Sequence, residues 1–177
     1  MGPIEEVLGP LSSLEGIVKE AMIDHLVEAF HLKKDYLSVS EMFVAKYEYG
    51  PDKQSSLKAH QDGTLFSFIL TLNEPDVDFF GGGTRFLEEA PRKHSQSKEE
   101  GGGGGGGGGV VYRPTEVGTG IVFCGKQLHE GVSVTGGVRY ILTGFCEYNN
   151  CDRVGSHESF LEDYDPRWDG ILILQNL

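Results

Sequence analysis

From residue 42 onward the apolar side chains come in runs too short and too rich in β-branched residues to build helices: "MFVAKYEY", "TLFSFILTL", "TRFL", "VVYR", "GIVFCG", "GVSV" and "VRYILTGF". Between them stand "YGPDK", "NEPD", "GGG" and "TGG", whose Gly, Pro, Asn and Asp supply turn conformations. Many short strands punctuated in this way restrict the chain to a mainly β architecture, a sandwich or a jelly roll.

One segment breaks this period. "SSLEGIVKEAMIDHLVEAFHL" sets Leu14, Ile17, Val18, Ala21, Met22, Leu26, Ala29 and Phe30 at intervals of three and four, and Ser12 with Glu15 forms a capping box. The spacing predicts an amphipathic helix that supports one face of the sheet. His25 falls on or beside its apolar stripe and reads as a packed structural histidine rather than a ligand.

The 177 residues suit one domain, large enough to bury about two thirds of its unfolded surface. It divides into a helical lead-in over 1–40, a β core over 41–148 and a tail over 149–177. Within the core, about 92–110, lies a low-complexity insertion with nine consecutive glycines at 101–109, which offers no side chains for a core. A natural mobile loop, a designed linker, and glycines standing in for another sequence are three readings of it. In the tail, Trp168 reads as a packing anchor, and "ILIL" as an edge strand or a contact with a second copy, a route to a homodimer.

With 27 acidic and 15 basic residues the net charge is −12, which repels phosphate backbones and argues against a nucleic-acid partner. No apolar run approaches the roughly 18 residues needed to cross a bilayer. The start, "MGPIEEVLGP", lacks the basic and apolar regions of a signal peptide. Cys124, Cys146 and Cys151 form no C-x-x-C pair; Cys146 and Cys151 could bridge a loop in an oxidising compartment.

The chemistry concentrates in "LKAHQDG", "LHEG" and "VRY". His60-x-Asp62 alone is equally an Asx-type turn between strands. His129, however, precedes a late strand, and Arg139 follows ten residues on, across "TGG" read as a hairpin turn that sets the two residues on neighbouring strands facing inward. Two imidazoles and one carboxylate make the facial triad suited to non-haem Fe(II). A buried arginine is rare without an anion, and its planar fork fits a carboxylate. "FFGGGTRF" has the look of a phosphate loop, yet no helix start or lysine follows, so a tight bend is the better reading.

The order His-x-Asp, His, Arg, with "FVAKYEYGPDKQSSLKAHQDG", "TLNEPDVDFFGGGTRFLE" and "LHEGVSVTGGVRYILTGF", resembles the iron(II) and 2-oxoglutarate dependent dioxygenases. Within them it resembles the catalytic domain of procollagen lysyl hydroxylases, with prolyl 4-hydroxylases as second relatives. The resemblance spans about residues 40–148. It implies a double-stranded β-helix, the cupin-like jelly roll, with the N-terminal helix as its support. His60, Asp62 and His129 would ligate Fe(II), and Arg139 would bind the distal carboxylate of 2-oxoglutarate. Tyr47, by the "FVAKY" match, would add a hydroxyl contact, although an ungapped count from His60 selects Tyr49.

Further implications are O2 as oxidant, ascorbate as a reductant, a lysyl or prolyl side chain of a peptide or protein as substrate, and a secretory lumen, the endoplasmic reticulum, as compartment. Asp62 favours hydroxylation over halogenation, since halogenating relatives have a small residue there. Three departures stand beside this: the insertion between Asp62 and His129, Ile69 where a polar pocket residue would align, and a tail that matches nothing. A non-catalytic jelly-roll module and a nucleic-acid oxidative demethylase are the competing readings.

Overall fold

The structure is a computed structural model, and it describes residues 2–3, 12–30, 32–87, 109–148 and 172–174. Trp168, Cys151 and most of the glycine tract lie outside these residues. Among the described residues eleven strands run from β1 to β11: Gly2–Pro3, Leu37–Glu48, Leu57–His60, Phe66–Thr71, Phe79–Gly81, Thr84–Leu87, Gly109–Tyr112, Gly120–Cys124, His129–Gly131, Val134–Tyr148 and Leu172–Leu174. One α-helix among the described residues, α1, spans Ser12–Phe30.

Two antiparallel sheets face each other. The larger has the order β1-β2-β10-β4-β8-β11, with β5 paired to the start of β10; the smaller has the order β3-β9-β6-β7. Successive strands from β2 to β10, leaving aside β5, alternate between the two sheets, except that β6 and β7 lie together in the smaller one. Strand β2 ends beside β10 and β3 beside β9, so the chain winds as a jelly roll, the mainly β fold expected from sequence. Strand β11 lies at the edge beside β8, with Leu172 opposite Val122, so "ILIL" does enter an edge strand.

Period-2 alternation gives the larger sheet two buried faces. Phe66, Phe68 and Leu70 of β4, Val122 of β8 and Leu142 and Cys146 of β10 face outward onto Met22 and Leu26 of α1. Ser67, Ile69 and Thr71 face inward, toward the smaller sheet. Strand β2 follows the same rule with one interruption. Its register against β10 shifts between Phe145 and Cys146, so that Ser40 is the extra residue and both Val39 and Met42 reach the helix side.

The helix is rotated relative to the expected stripe. Val18, Met22, Ile23, Leu26, Val27 and Phe30 pack on the sheet, whereas Ile17 and Ala29 face solvent. Phe30 stacks on Phe66 with ring centroids 4.9 Å apart, which fixes that rotation. Two boundaries also move. Leu37 and Val39 are already buried on the helix side, so β2 starts inside the segment assigned to the lead-in. Gly109 and Val110 pair with Leu87 and Phe86, so β7 starts inside the stretch assigned to the insertion.

Candidate metal centre

Strand β3 delivers His60 through a bulge. Leu57 is opposite Gly131 and His60 opposite His129, three residues against two, and this extra residue turns both Leu57 and His60 toward the interior. His60 and His129 therefore stand across from each other on adjacent strands, ring centroids 4.3 Å apart. Asp62 follows β3 and is anchored by its backbone N–H, which donates to the Gly125 carbonyl at 2.8 Å. A Cβ at Gly125 would lie 2.4 Å from the Thr64 carbonyl oxygen, so only glycine allows that approach.

The three side chains converge: one ligand atom from each of His60, Asp62 and His129 lies within 4.8 Å of the others. The Nε2 atoms of His60 and His129 are 3.3 Å and 3.6 Å from Asp62 Oδ1 and Oδ2. Each Nδ1 meets a backbone carbonyl two residues back, His60 to Lys58 at 2.8 Å and His129 to Gln127 at 2.9 Å. A carbonyl oxygen only accepts, so each Nδ1 carries the proton, which leaves Nε2 of each ring as the atom that can offer a metal a lone pair. Burial holds the His129 pKa below its ordinary value, against upward pulls from the Gln127 carbonyl and Asp62. A neutral imidazole is the metal-binding form. Phe123 packs edge-on against that ring, centroids 4.6 Å apart, and fixes its plane.

Arg139 comes from the opposite wall. It is on β10, beside Tyr47 of β2, and only 2% exposed. The expected hairpin between His129 and Arg139 is not there: the two residues face each other from different sheets. The "TGG" stretch is where β10 exchanges partners, pairing with β5 up to Gly137 and with β2 from Val138. At Gly137 φ is +72° and a Cβ would lie 2.0 Å from the Asp78 carbonyl oxygen, so the strand crosses rather than turns back.

The "GGG" of "FFGGGTRF" is a bend in which Gly81, Gly82 and Gly83 all have positive φ. It seats the arginine, since a Cβ at Gly82 would press on Arg139 Cδ at 3.1 Å and the Gly83 carbonyl accepts from Nη1 at 3.2 Å. Arg139 Nε has no partner among the described residues. Burial lowers the Arg139 pKa, opposed by neighbouring Tyr47 and Tyr112.

One cavity of about 240 Å³ joins the two walls, lined by His60, Asp62 and His129 on one side and Tyr47 and Arg139 on the other, with Phe43, Ile69, Phe123 and Ile141 between. Tyr47 is buried in this lining, while Tyr49 lies past the end of β2 and is 61% exposed. Burial raises the Tyr47 phenol pKa, Arg139 pulling it down and Asp62 up. Ile69 does line the cavity, so its wall is apolar there. Sequence reading missed Ser67 and Gly83; the signal for Ser67 was a hydroxyl at an inward position of an otherwise apolar strand.

A jelly roll with two histidines and an aspartate at one wall of its cavity, and a buried arginine at the other, is the arrangement found in iron(II) and 2-oxoglutarate dependent dioxygenases. Among these the chain is similar to the procollagen lysyl hydroxylases. It is 32% identical over 128 residues to the multifunctional procollagen lysine hydroxylase and glycosyltransferase of Rattus norvegicus, covering 71% of this chain and 14% of the relative. It is 32% identical over 112 residues to procollagen-lysine,2-oxoglutarate 5-dioxygenase 2 of Homo sapiens, covering 59% and 12%. The chain thus spans about a seventh of the length of the curated relatives it matches. A solved oxidoreductase of the 2OG-Fe(II) oxygenase family from Burkholderia pseudomallei superposes with a TM-score of 0.45 at 19% identity, covering 66% of this chain and 48% of the other. No family model matches.

Proposed function

We propose that this chain is an iron(II) and 2-oxoglutarate dependent hydroxylase domain acting on a C–H bond of a lysyl or prolyl side chain in a peptide or protein. The observation that carries the reading is one cavity with a two-histidine, one-carboxylate group on one wall and, on the other, a buried arginine that has no carboxylate partner among the described residues. The donor set suits a non-haem ferrous ion with positions left open. The unpartnered Nε suits a carboxylate. The cavity is below the range of about 300–1,000 Å³ usual for drug-sized ligands, which favours a small diacid. The names of the relatives support the lysyl substrate and the cosubstrate.

In this reading Nε2 of His60, Nε2 of His129 and the Asp62 carboxylate hold the iron. Bound there, iron couples dioxygen reduction and oxidative decarboxylation of 2-oxoglutarate to hydroxylation of the substrate. Arg139 grips the distal carboxylate and sets the diacid's direction, and the Tyr47 hydroxyl adds a second contact. Phe43, Ile69, Phe123 and Ile141 exclude water from the reacting atoms. Ascorbate as reductant, a secretory lumen as compartment, residues 1–177 as one catalytic domain and pairing through the tail complete the proposal.

The test is anaerobic addition of Fe(II) and 2-oxoglutarate to wild type and His129→Ala, reading the visible charge-transfer band of the chelate. A band in the wild type alone is expected. No band in either protein, with iron content measured, would overturn the reading and leave a binding module.

A further inference from the structure

We infer that Ser67, itself held by Thr64, is a positioning residue that presents Asp62 to the metal through a single oxygen. The inference rests on the metal-site reading above and goes beyond its three ligands.

Ser67 is in β4, between Phe66 and Phe68, and is 1% exposed. A hydroxyl in such a place needs a partner. Its partner is the ligand itself: Ser67 Oγ is 2.5 Å from Asp62 Oδ2. A metal-binding carboxylate is ionised and only accepts, so the serine proton points at Oδ2. Thr64 Oγ1 lies 3.2 Å from Ser67 Oγ and 3.3 Å from the Phe66 carbonyl oxygen; the serine proton is already committed, so the one threonine proton is shared between these two acceptors. The serine proton runs to Asp62, and Thr64 stands behind Ser67 with its own proton divided between Ser67 and the Phe66 carbonyl.

The relay starts from a fixed point. The Thr64 backbone and hydroxyl pack against Gly125, where a Cβ would lie 2.4 Å from each oxygen, and the same Gly125 carbonyl accepts from the Asp62 N–H. Asp62 is therefore pinned at its backbone and at Oδ2. Oδ1, 3.3 Å from His60 Nε2, has no other partner among the described residues. Rotation of the carboxylate would exchange its oxygens, and the serine bond opposes that rotation. One-oxygen ligation confines the protein to three positions on the ion, whereas a two-oxygen carboxylate would take a fourth that the cosubstrate or dioxygen needs.

The experiment uses Co(II) as the probe on the full chain, with affinity measured by calorimetry and coordination by the visible d–d spectrum, for wild type, Ser67→Ala, Ser67→Thr, Thr64→Val and His129→Ala. Ser67→Ala is expected to weaken Co(II) binding about 10- to 100-fold and to alter the d–d band. Ser67→Thr should return to within a few-fold of wild type, and Thr64→Val, nearly isosteric and away from the core strand, should lose a few-fold. Wild-type affinity and spectrum in both Ser67→Ala and Thr64→Val would overturn the positioning role. So would an equal loss in Ser67→Ala and Ser67→Thr, since the hydroxyl would not be the cause. If wild type and His129→Ala bind Co(II) alike, the metal-site reading itself fails, and the inference with it.

Discussion

Replacing Arg139 by methionine should strengthen the unliganded protein and remove its affinity for the diacid. The guanidinium is 2% exposed, and the described residues offer it one hydrogen bond, to the Gly83 carbonyl at 3.2 Å, and the face of Phe79 with the ring centroid 5.8 Å away. Burying a cation costs several kcal/mol, and hydrophobic replacements of buried charges often stabilise by about 1–4 kcal/mol. Leaving the Gly83 carbonyl without its donor subtracts about 1 kcal/mol. A net gain of about 1–2 kcal/mol raises Tm by roughly 2–8 °C for a chain of this size. A bound carboxylate would meanwhile lose two charge-assisted hydrogen bonds of about 1.5–3 kcal/mol each, weakening 2-oxoglutarate roughly 10²- to 10⁴-fold. Thermal unfolding with and without 2-oxoglutarate, with Mn(II) in place of iron, reads both effects in one assay. A lowered midpoint without ligand, together with an unchanged ligand-induced shift, would refute the reasoning.

Tyr47→Phe should raise the 2-oxoglutarate Kd by about 2- to 12-fold through loss of one hydroxyl contact, and Tyr49→Phe should leave it unchanged; titration of both variants checks this. Gly144 is directly across from Phe68, where a Cβ would meet ring carbon Cζ at 2.2 Å, so Gly144→Ala should cost about 1–3 kcal/mol in urea unfolding, with Phe68→Leu restoring part of it. Burial pushes the Cys146 thiol up to about 12 from an ordinary value of 9.0. A raised folded pKa favours the neutral thiol, so its contribution is whole below pH 9.0 and is lost as pH climbs toward 12, by roughly 1.4 kcal/mol per pH unit. Urea midpoints between those limits should therefore fall less steeply in Cys146→Ala than in wild type.

The metal group was legible because residue type and order carry it: a histidine, an aspartate two on, a late histidine and an arginine form a donor set whatever the backbone does between them. What joins them was less so. Nothing in "LKAH" announces the bulge that swings His60 inward, since register depends on the partner strand. The "TGG" has turn composition, and only the Asp78 carbonyl packed against Gly137 makes it a crossing between sheets. Tyr47 and Tyr49 are equivalent by alternation, and the end of β2 at Glu48 separates them. The helical stripe was right at Val18, Met22, Leu26 and Phe30 and wrong at Ile17 and Ala29, because Ile17 and Val18 are equal by hydrophobicity while contact with the sheet, Phe30 on Phe66 included, picks Val18.

The rung that closes β6 and β7 pairs Leu87 with Gly109. The chain leaves the smaller sheet and re-enters it at the same place, so whatever sequence lies between is attached at a single doorway. Doubling the length of such an excursion costs only about 0.6 kcal/mol in closure entropy. His60, Asp62, His129, Arg139, Tyr47 and Ser67 are all outside it. A lineage could therefore rewrite the sequence between Leu87 and Gly109 wholesale while the cavity residues keep their places.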